Sequence, residues 1–334
     1  MKRLFPPLLA LGRHRSFQVV ASLAVGALLL WLAFARVDLQ SLIARLRQVE
    51  PKWLVLAMIT YWIALSLRSW RWRIILAPAR RLDFGQVFQA LVIGYAANNV
   101  LPARIGELLR ADYVGRRYGV PRLSVIGTIV VERLFDVIVF LGFIFAGLAA
   151  LHQRGDSDIA RILQIVEILA VGCGLLLAGL LVLVNVRHIA LPAAFAFLDR
   201  HRKSLTDGLH LITGAPEVVM LTAATVVVWS ADSFSVWLLC KAIHVDLSLL
   251  ALLFVMGMAC LAALIPAAPA NIGALQFAMG LAFPLLGLSK DSGIALSLLF
   301  QGCFILSSTL VGGILYLAGA FNPAARRVNS RPGQ

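Results

Sequence analysis

An all-α polytopic membrane protein, with six full spans and two re-entrant helical hairpins in an inverted repeat, is the fold class this sequence predicts. Four observations predict it. The 334 residues are 60% hydrophobic and 14% charged, with a mean hydropathy of +0.89. Several apolar runs approach the ~20 residues that cross ~30 Å of hydrocarbon, and they are continuous rather than alternating, which argues against a β-barrel. Two of the runs are interrupted by proline, at Pro102 and at Pro266 with Pro269. Finally, residues 105–111 (IGELLRA) match residues 272–278 (IGALQFA) at four of seven positions, at an offset of 167, half the chain.

The elements follow in order. Arg13, His14 and Arg15 precede an apolar run over 17–35 that ends in Ala33-Phe34-Ala35. That ending imitates a signal-peptidase site, but signal cores run only ~7–15 residues, so the run is expected to be the first span. Over 38–50, Leu39, Leu42, Ile43, Leu46 and Val49 fall at helical spacing between charges, which predicts an amphipathic helix lying in the interface. Pro51 breaks it, and a second span runs over 53–70. Its far end, RSWRWR, alternates Arg68, Arg71 and Arg73 with Trp70 and Trp72, and reads as an interfacial belt.

Residues 84–101 are short for a span and polar at their end; 105–114 return toward Arg116 and Arg117. Together they predict a hairpin over 84–117, whose irregular turn must be buried in protein or line a cavity. Pro121 opens a long helix over 122–150. A span over 162–184 and a basic, amphipathic surface segment over 185–216 come next. The span at 217–240 holds Asp232 beside Ser230, Ser233 and Ser235. A second hairpin covers 247–288, and the last span covers 292–319. The halves 1–150 and 151–334 then share one plan of helix, surface segment, helix, hairpin and helix. Three crossings per half is odd, so the second half is expected to be inverted, with broken helices meeting near the midplane as in secondary transporters.

The chemistry concentrates between Asn98 and Asp136. Arg104, Glu107, Arg110, Glu132, Arg133 and Asp136 put three bases and three acids into a greasy context. An ionisable group at bilayer depth costs at least ~2.5–3.5 kcal/mol, so it needs a partner, a wet cavity or a ligand. Two readings follow: a self-neutralised structural cluster, or a midplane site whose ion pairs open to an anionic substrate. Arg104, Glu107 and Arg110 form an i,i+3 stripe on a half-helix whose N-terminus points inward. A helix N-terminus favours anions, and the forked guanidinium suits phosphate. Glu132 and Asp136 share a face, with Arg133 directed elsewhere. Asn98 and Asn99 either cap the turn or bind ligand. Asn271 and Gln276 offer neutral hydrogen bonds at the second hairpin, and Gln301 lies inside the last span. Asp232 has no obvious cationic partner in its own span; added to the balanced six it leaves one surplus negative charge, so it is either the proton-coupling residue or a structural ion-pair partner of an arginine from the first hairpin.

The pattern N-x-x-L-P-x-R-x-G-E-x-x-R, carried by Asn98, Leu101, Pro102, Arg104, Gly106, Glu107 and Arg110, is followed by E-R-x-x-D at Glu132, Arg133 and Asp136. A later P-x-x-P-x-x-[IV]-G appears as Pro266, Pro269, Ile272 and Gly273. Together these resemble the flippase-like family named after the lysylphosphatidylglycerol synthase transmembrane domain, over most of the chain. The chain departs from it at Ala270-Asn271, where members often carry Gly-Gly or Gly-Asn after the proline, and at Gln276, where many carry Glu. The resemblance implies lipid handling. The expected activity is movement of an anionic phospholipid or polyprenyl-phosphate-linked sugar between leaflets. The alternatives are a membrane subunit that presents lipid to a lipid-modifying synthase, and a structural or assembly protein whose ion pairs only lock helices.

The formal net charge of +14 is best explained by loops. With the N-terminus inside, cytoplasmic segments hold about 20 Lys/Arg and the opposite side about eight. That predicts both termini on the cytoplasmic face of a bacterial-type inner membrane, with contact to anionic headgroups and no nucleic acid. Cys173, Cys240, Cys260 and Cys303 fall within spans as small apolar residues, without disulfide or zinc spacing. There is no phosphate-binding loop, metal-ligand cluster or nucleophilic triad. No cofactor and no catalysis are therefore expected. No tail is long enough for a soluble domain, so a partner glycosyltransferase or lipid-modifying enzyme is expected to be a separate chain.

Overall fold

The computed structural model describes residues 12–35, 37–101, 105–151, 215–264 and 268–321. The span expected over 162–184 and the surface segment over 185–216 lie outside the described residues, as do Pro102, Arg104 and Pro266. The described residues form helices: α1 (Gly12–Phe34), α2 (Leu39–Arg47), α3 (Pro51–Leu76), α4 (Phe84–Val100), α5 (Ile105–Tyr118), α6 (Arg122–Leu151), α7 (Ala215–Ala242), α8 (Leu249–Leu264), α9 (Ala274–Leu285), α10 (Lys290–Phe300) and α11 (Leu306–Phe321). No strand occurs among them.

Among the described residues, three helical stretches are long and apolar enough to cross a membrane: Pro51–Leu76, Pro216–Ala242 and Lys290–Gly319. A fourth arises if the tail of α1 and α2, whose axes meet at 89°, count as one broken span. Helix α6 has 30 residues, ~45 Å at 1.5 Å per residue, but Glu132, Arg133 and Asp136 sit midway along it. Helix α2 is capped by Asp38, whose carboxylate accepts from the Gln40 N–H at 2.9 Å, and carries Arg45 and Arg47 in its last turn, where cations complement the helix dipole. It buries only Leu42.

The second span overturns one expectation. Helix α3 starts at Pro51, a proline in its first turn, and runs on to Leu76. The continuation carries Arg68, Arg71 and Trp72 into the interior, while Trp70 stays 47% exposed. The Arg/Trp run is therefore not an interfacial belt. Residues 68, 71 and 72 share one helix face (i, i+3, i+4), and that face packs inward.

The packing pairs exchange under the 167-residue offset. Helix α3 lies along α7, its counterpart in the other half. Helix α4 rests on α11, and α8, the counterpart of α4, rests on α6. Small residues permit both crossings: a Cβ on Gly312 would come within 2.5 Å of the Ala96 Cβ, and one on Gly257 within 2.2 Å of the Ile144 side chain.

The chain between α8 and α9 takes an unusual backbone. Ala270, Asn271 and Gly273 all take positive φ (58°, 55° and 88°), a conformation that costs non-glycine residues ~1–3 kcal/mol and persists only where the surroundings impose it. Here Gly273 is seated on α1, so close that a Cβ would lie 2.0 Å from the Gly26 carbonyl oxygen. The last span is continuous except for a π-helical turn over Gln301–Ile305, which is bonded to Asn99 of α4 and to the Ala270 carbonyl.

Candidate functional site

Among the described residues, four arginines and four acids meet in the interior: Arg68 and Arg71 from α3, Glu107 and Arg110 from α5, Glu132, Arg133 and Asp136 from α6, and Asp232 from α7. They divide into two groups.

The first is a closed knot. Arg71 bonds Asp136 at 2.7 Å and Glu132 at 3.2 Å, and donates to Thr225 Oγ1 at 2.9 Å. Arg110 takes the other Glu132 oxygen at 2.6 Å, and its guanidinium lies 3.6 Å from the Trp72 ring centroid. The Trp72 indole donates to Thr128 at 3.1 Å, and the Trp229 indole donates to Asp136 at 2.9 Å. The Arg71 and Glu132 side chains are 1% and 0% exposed. Removing such ions from water costs several kcal/mol each, and only several good partners per ion offset it. Glu132 has two arginines; Asp136 has two arginines and an indole. Neither carboxylate has a free side for a ligand.

The second group lines a cavity of about 230 Å3 between α3, α4, α6, α7, α8 and the π turn. That is below the ~300–1,000 Å3 of a drug-sized ligand pocket, so it suits a headgroup rather than a whole lipid. Arg68 pairs with Asp232 and is stacked 4.5 Å from the Trp229 centroid and 5.8 Å from Tyr95. Arg133 reaches Glu107 at 3.2 Å through Nε and Asp136 at 3.1 Å through Nη1. Asn98, Asn99, Asn271, Tyr61 and Ser308 complete the polar wall, with Phe300 and Phe304 beside them. Asn98 Oδ1 is buried without a hydrogen-bond partner among the described residues.

Several sequence expectations need correction here. Arg133 does not point away from Asp136: three residues advance a helix by ~300°, leaving the two only ~60° apart, within reach of a long side chain. Asp232 has a cationic partner in Arg68. With Arg68 and Arg71 counted, the described cluster balances four against four, so the surplus negative charge disappears. The Asn99 amide donates to the Ile305 carbonyl (3.3 Å), Ser308 (3.1 Å) and Thr309 (2.9 Å), tying α4 to the π turn and α11; the turn it was expected to cap lies outside the described residues. Gln276 and Gln301 bond each other at 2.6 Å and brace the second turn, Gln276 accepting from the Gly273 N–H and Gln301 donating to the Ala270 carbonyl. Both stand behind the cavity wall. Arg104 lies outside the described residues. The residues missed were Arg68, Arg71 and Trp229; the available signal was the i,i+3,i+4 spacing of Arg68, Arg71 and Trp72.

The family described as the lysylphosphatidylglycerol synthase TM region matches residues 19–312. Glycosyltransferase AglD of Haloferax volcanii is 33% identical over 153 residues, covering 45% of this chain and 24% of that protein's length. The UPF0104 membrane protein PH1989 of Pyrococcus horikoshii is 23% identical over 323 residues, 90% of this chain and 95% of its own. A UPF0104 membrane protein of Methanothermobacter thermautotrophicus is 24% identical over 272 residues, 75% of this chain and 80% of its own.

Proposed function

The chain belongs to the lysylphosphatidylglycerol synthase TM region family of membrane proteins, and on that premise we propose that it moves an anionic lipid between leaflets. The lipid is a phospholipid or a polyprenyl-phosphate-linked sugar whose headgroup passes through the cavity while its tails stay in the bilayer. The observation that carries this reading is the second ion-pair group. Arg68 and Arg133 face the cavity, and each holds a carboxylate, Asp232 or Glu107, that faces it too. A phosphate entering there exchanges with a carboxylate for an arginine that is already desolvated and already fixed. Forked donors suit that exchange.

The architecture that goes with this activity is six spans and two hairpins in an inverted repeat, with both termini on the cytoplasmic side of an inner membrane. The exchange of packing partners between halves supports it. Alternating access then amounts to rocking one half against the other around a fixed site. No step requires this chain to act as an enzyme.

The test is lipid movement in vesicles. Purified chain should carry a headgroup-labelled anionic phospholipid from the inner to the outer leaflet; vesicles holding the chain that behave like empty ones would overturn the reading. The match to a stretch of a protein named as a glycosyltransferase favours a second reading, in which the chain presents a lipid-linked sugar to a separate enzyme. Activity appearing only with that enzyme added would select it.

A further inference from the structure

Besides the central cavity, two apolar grooves mark the surface. The larger runs along α3 and α4 between Val55 and Phe84, and no charged residue lines it. The smaller lies between α5 and α6, walled by Leu108, Ile126, Ile129, Val130, Leu134 and Val137. It differs in one respect: its inner end is Glu107 and Arg133, which also line the central cavity. Its outer end reaches the surface, where Leu108 is 58% and Val130 37% exposed.

We propose that this groove holds one acyl chain of the lipid whose anionic headgroup contacts Arg133, and that the Glu107–Arg133 pair is the lateral gate between bilayer and cavity. The proposal rests on the lipid reading above and adds the route and the tail site. Three features argue for an acyl chain of an anionic lipid rather than general bilayer contact.

The groove joins an apolar wall to a guanidinium within one continuous surface, which matches a molecule with a hydrocarbon tail on an anionic head. The cavity is too small for a tail as well as a headgroup, so the tail must leave it, and the groove is where an apolar wall adjoins the cavity's charged lining. The pair at the junction is also the looser kind: Arg133 and Glu107 are 32% and 25% exposed, whereas the carboxylates of the knot are at most 2%. Glu107 holds Arg133 through a single 3.2 Å contact, so a headgroup oxygen can replace it while Asp136 still compensates the other side of the guanidinium.

The experiment uses the full chain in vesicles doped with phosphatidylglycerol bearing a photoreactive group on one acyl chain. After irradiation, adducts are mapped by peptide mass spectrometry. Adducts should concentrate on α6 around Ile126–Leu134 and on Leu108. Val130→Trp, which fills the groove, should lower that yield several-fold, while Val130→Ile keeps it. Glu107→Gln, which frees Arg133, should raise the yield for phosphatidylglycerol and leave it unchanged for a phosphatidylcholine probe. Adducts spread evenly over the outer helices, or centred on the α3 groove, would overturn the proposal. So would an equal response of both probes to Glu107→Gln. If adducts map to the groove but the parent moves no lipid, the tail site stands and the transport reading fails.

Discussion

The knot of Arg71, Arg110, Glu132 and Asp136 and the cavity pairs Arg68–Asp232 and Arg133–Glu107 use the same residue types on neighbouring turns of the same helices. They differ in partners and in access. Among the described residues, each knot carboxylate is held by two arginines and sealed from the cavity; each cavity carboxylate pairs with one arginine and faces open space. Burial with two arginines on each carboxylate makes an ion pair structural. A single partner beside a cavity makes it exchangeable. The difference teaches that a charged motif in a membrane protein is not one site, and that the fold decides which of its members remain available to a ligand.

The largest effect should come from the knot. Glu132→Gln leaves Arg71 and Arg110 short of a counter-ion and should cost ~3–5 kcal/mol, the range for breaking a buried pair. The check is the fraction of folded, monodisperse protein in detergent and its thermal midpoint. Parent-like stability would dissolve the distinction between the two regions.

Next comes Arg68→Lys. It keeps the charge beside Asp232 and loses the planar fork, so lipid movement should fall about tenfold, worth ~1.4 kcal/mol, with the thermal midpoint nearly unchanged. The charge swap of Glu107→Arg with Arg133→Glu also takes one arginine from Asp136, so it should lower stability and should not restore transport per folded protein. Full rescue by the swap would mean that this pair only locks helices.

The cluster itself was legible because Glu107, Arg110, Glu132, Arg133 and Asp136 stand out against apolar neighbours, and the cost of burying charge makes such residues informative one by one. The helical elements were legible for the same reason, from continuous apolar runs stopped at Pro51, Pro102, Pro121 and Pro266. Arg68 and Arg71 were not, because tryptophan and arginine at a span's end also suit a headgroup layer. Only the continuation of α3 to Leu76 and its packing on α6 and α7 place them inside. Nor was the division between knot and cavity legible. It depends on which partner from another helix reaches each carboxylate, such as Trp229 for Asp136, and spacing along one helix carries no such information.

A smaller effect is expected at Asp232. Because Arg68 is its partner, Asp232→Asn should leave the response of lipid movement to an imposed pH gradient equal to the parent's. A lost response would restore Asp232 as the coupling residue. The smallest effect belongs to a solvent-accessible pair at the head of α3, Glu50, just before the span, with Lys52 at 2.6 Å. The hydrogen bond from Lys52 holds the Glu50 carboxyl below its ordinary value. A lowered carboxylate contributes stability above its unfolded pKa and loses it as pH falls through the folded one. Solvent screening makes that contribution too small to detect, so Glu50→Gln should leave stability on the acid side unchanged.

The central claim, that the anionic headgroup is handled by the cavity arginines, is tested most directly by one vesicle experiment. Movement of headgroup-labelled phosphatidylglycerol is measured side by side for the parent, Arg68→Lys and Arg133→Lys, each confirmed as folded by its thermal midpoint. The account predicts movement by the parent and loss of most of it in both variants. Parent-like movement in both folded variants would contradict it.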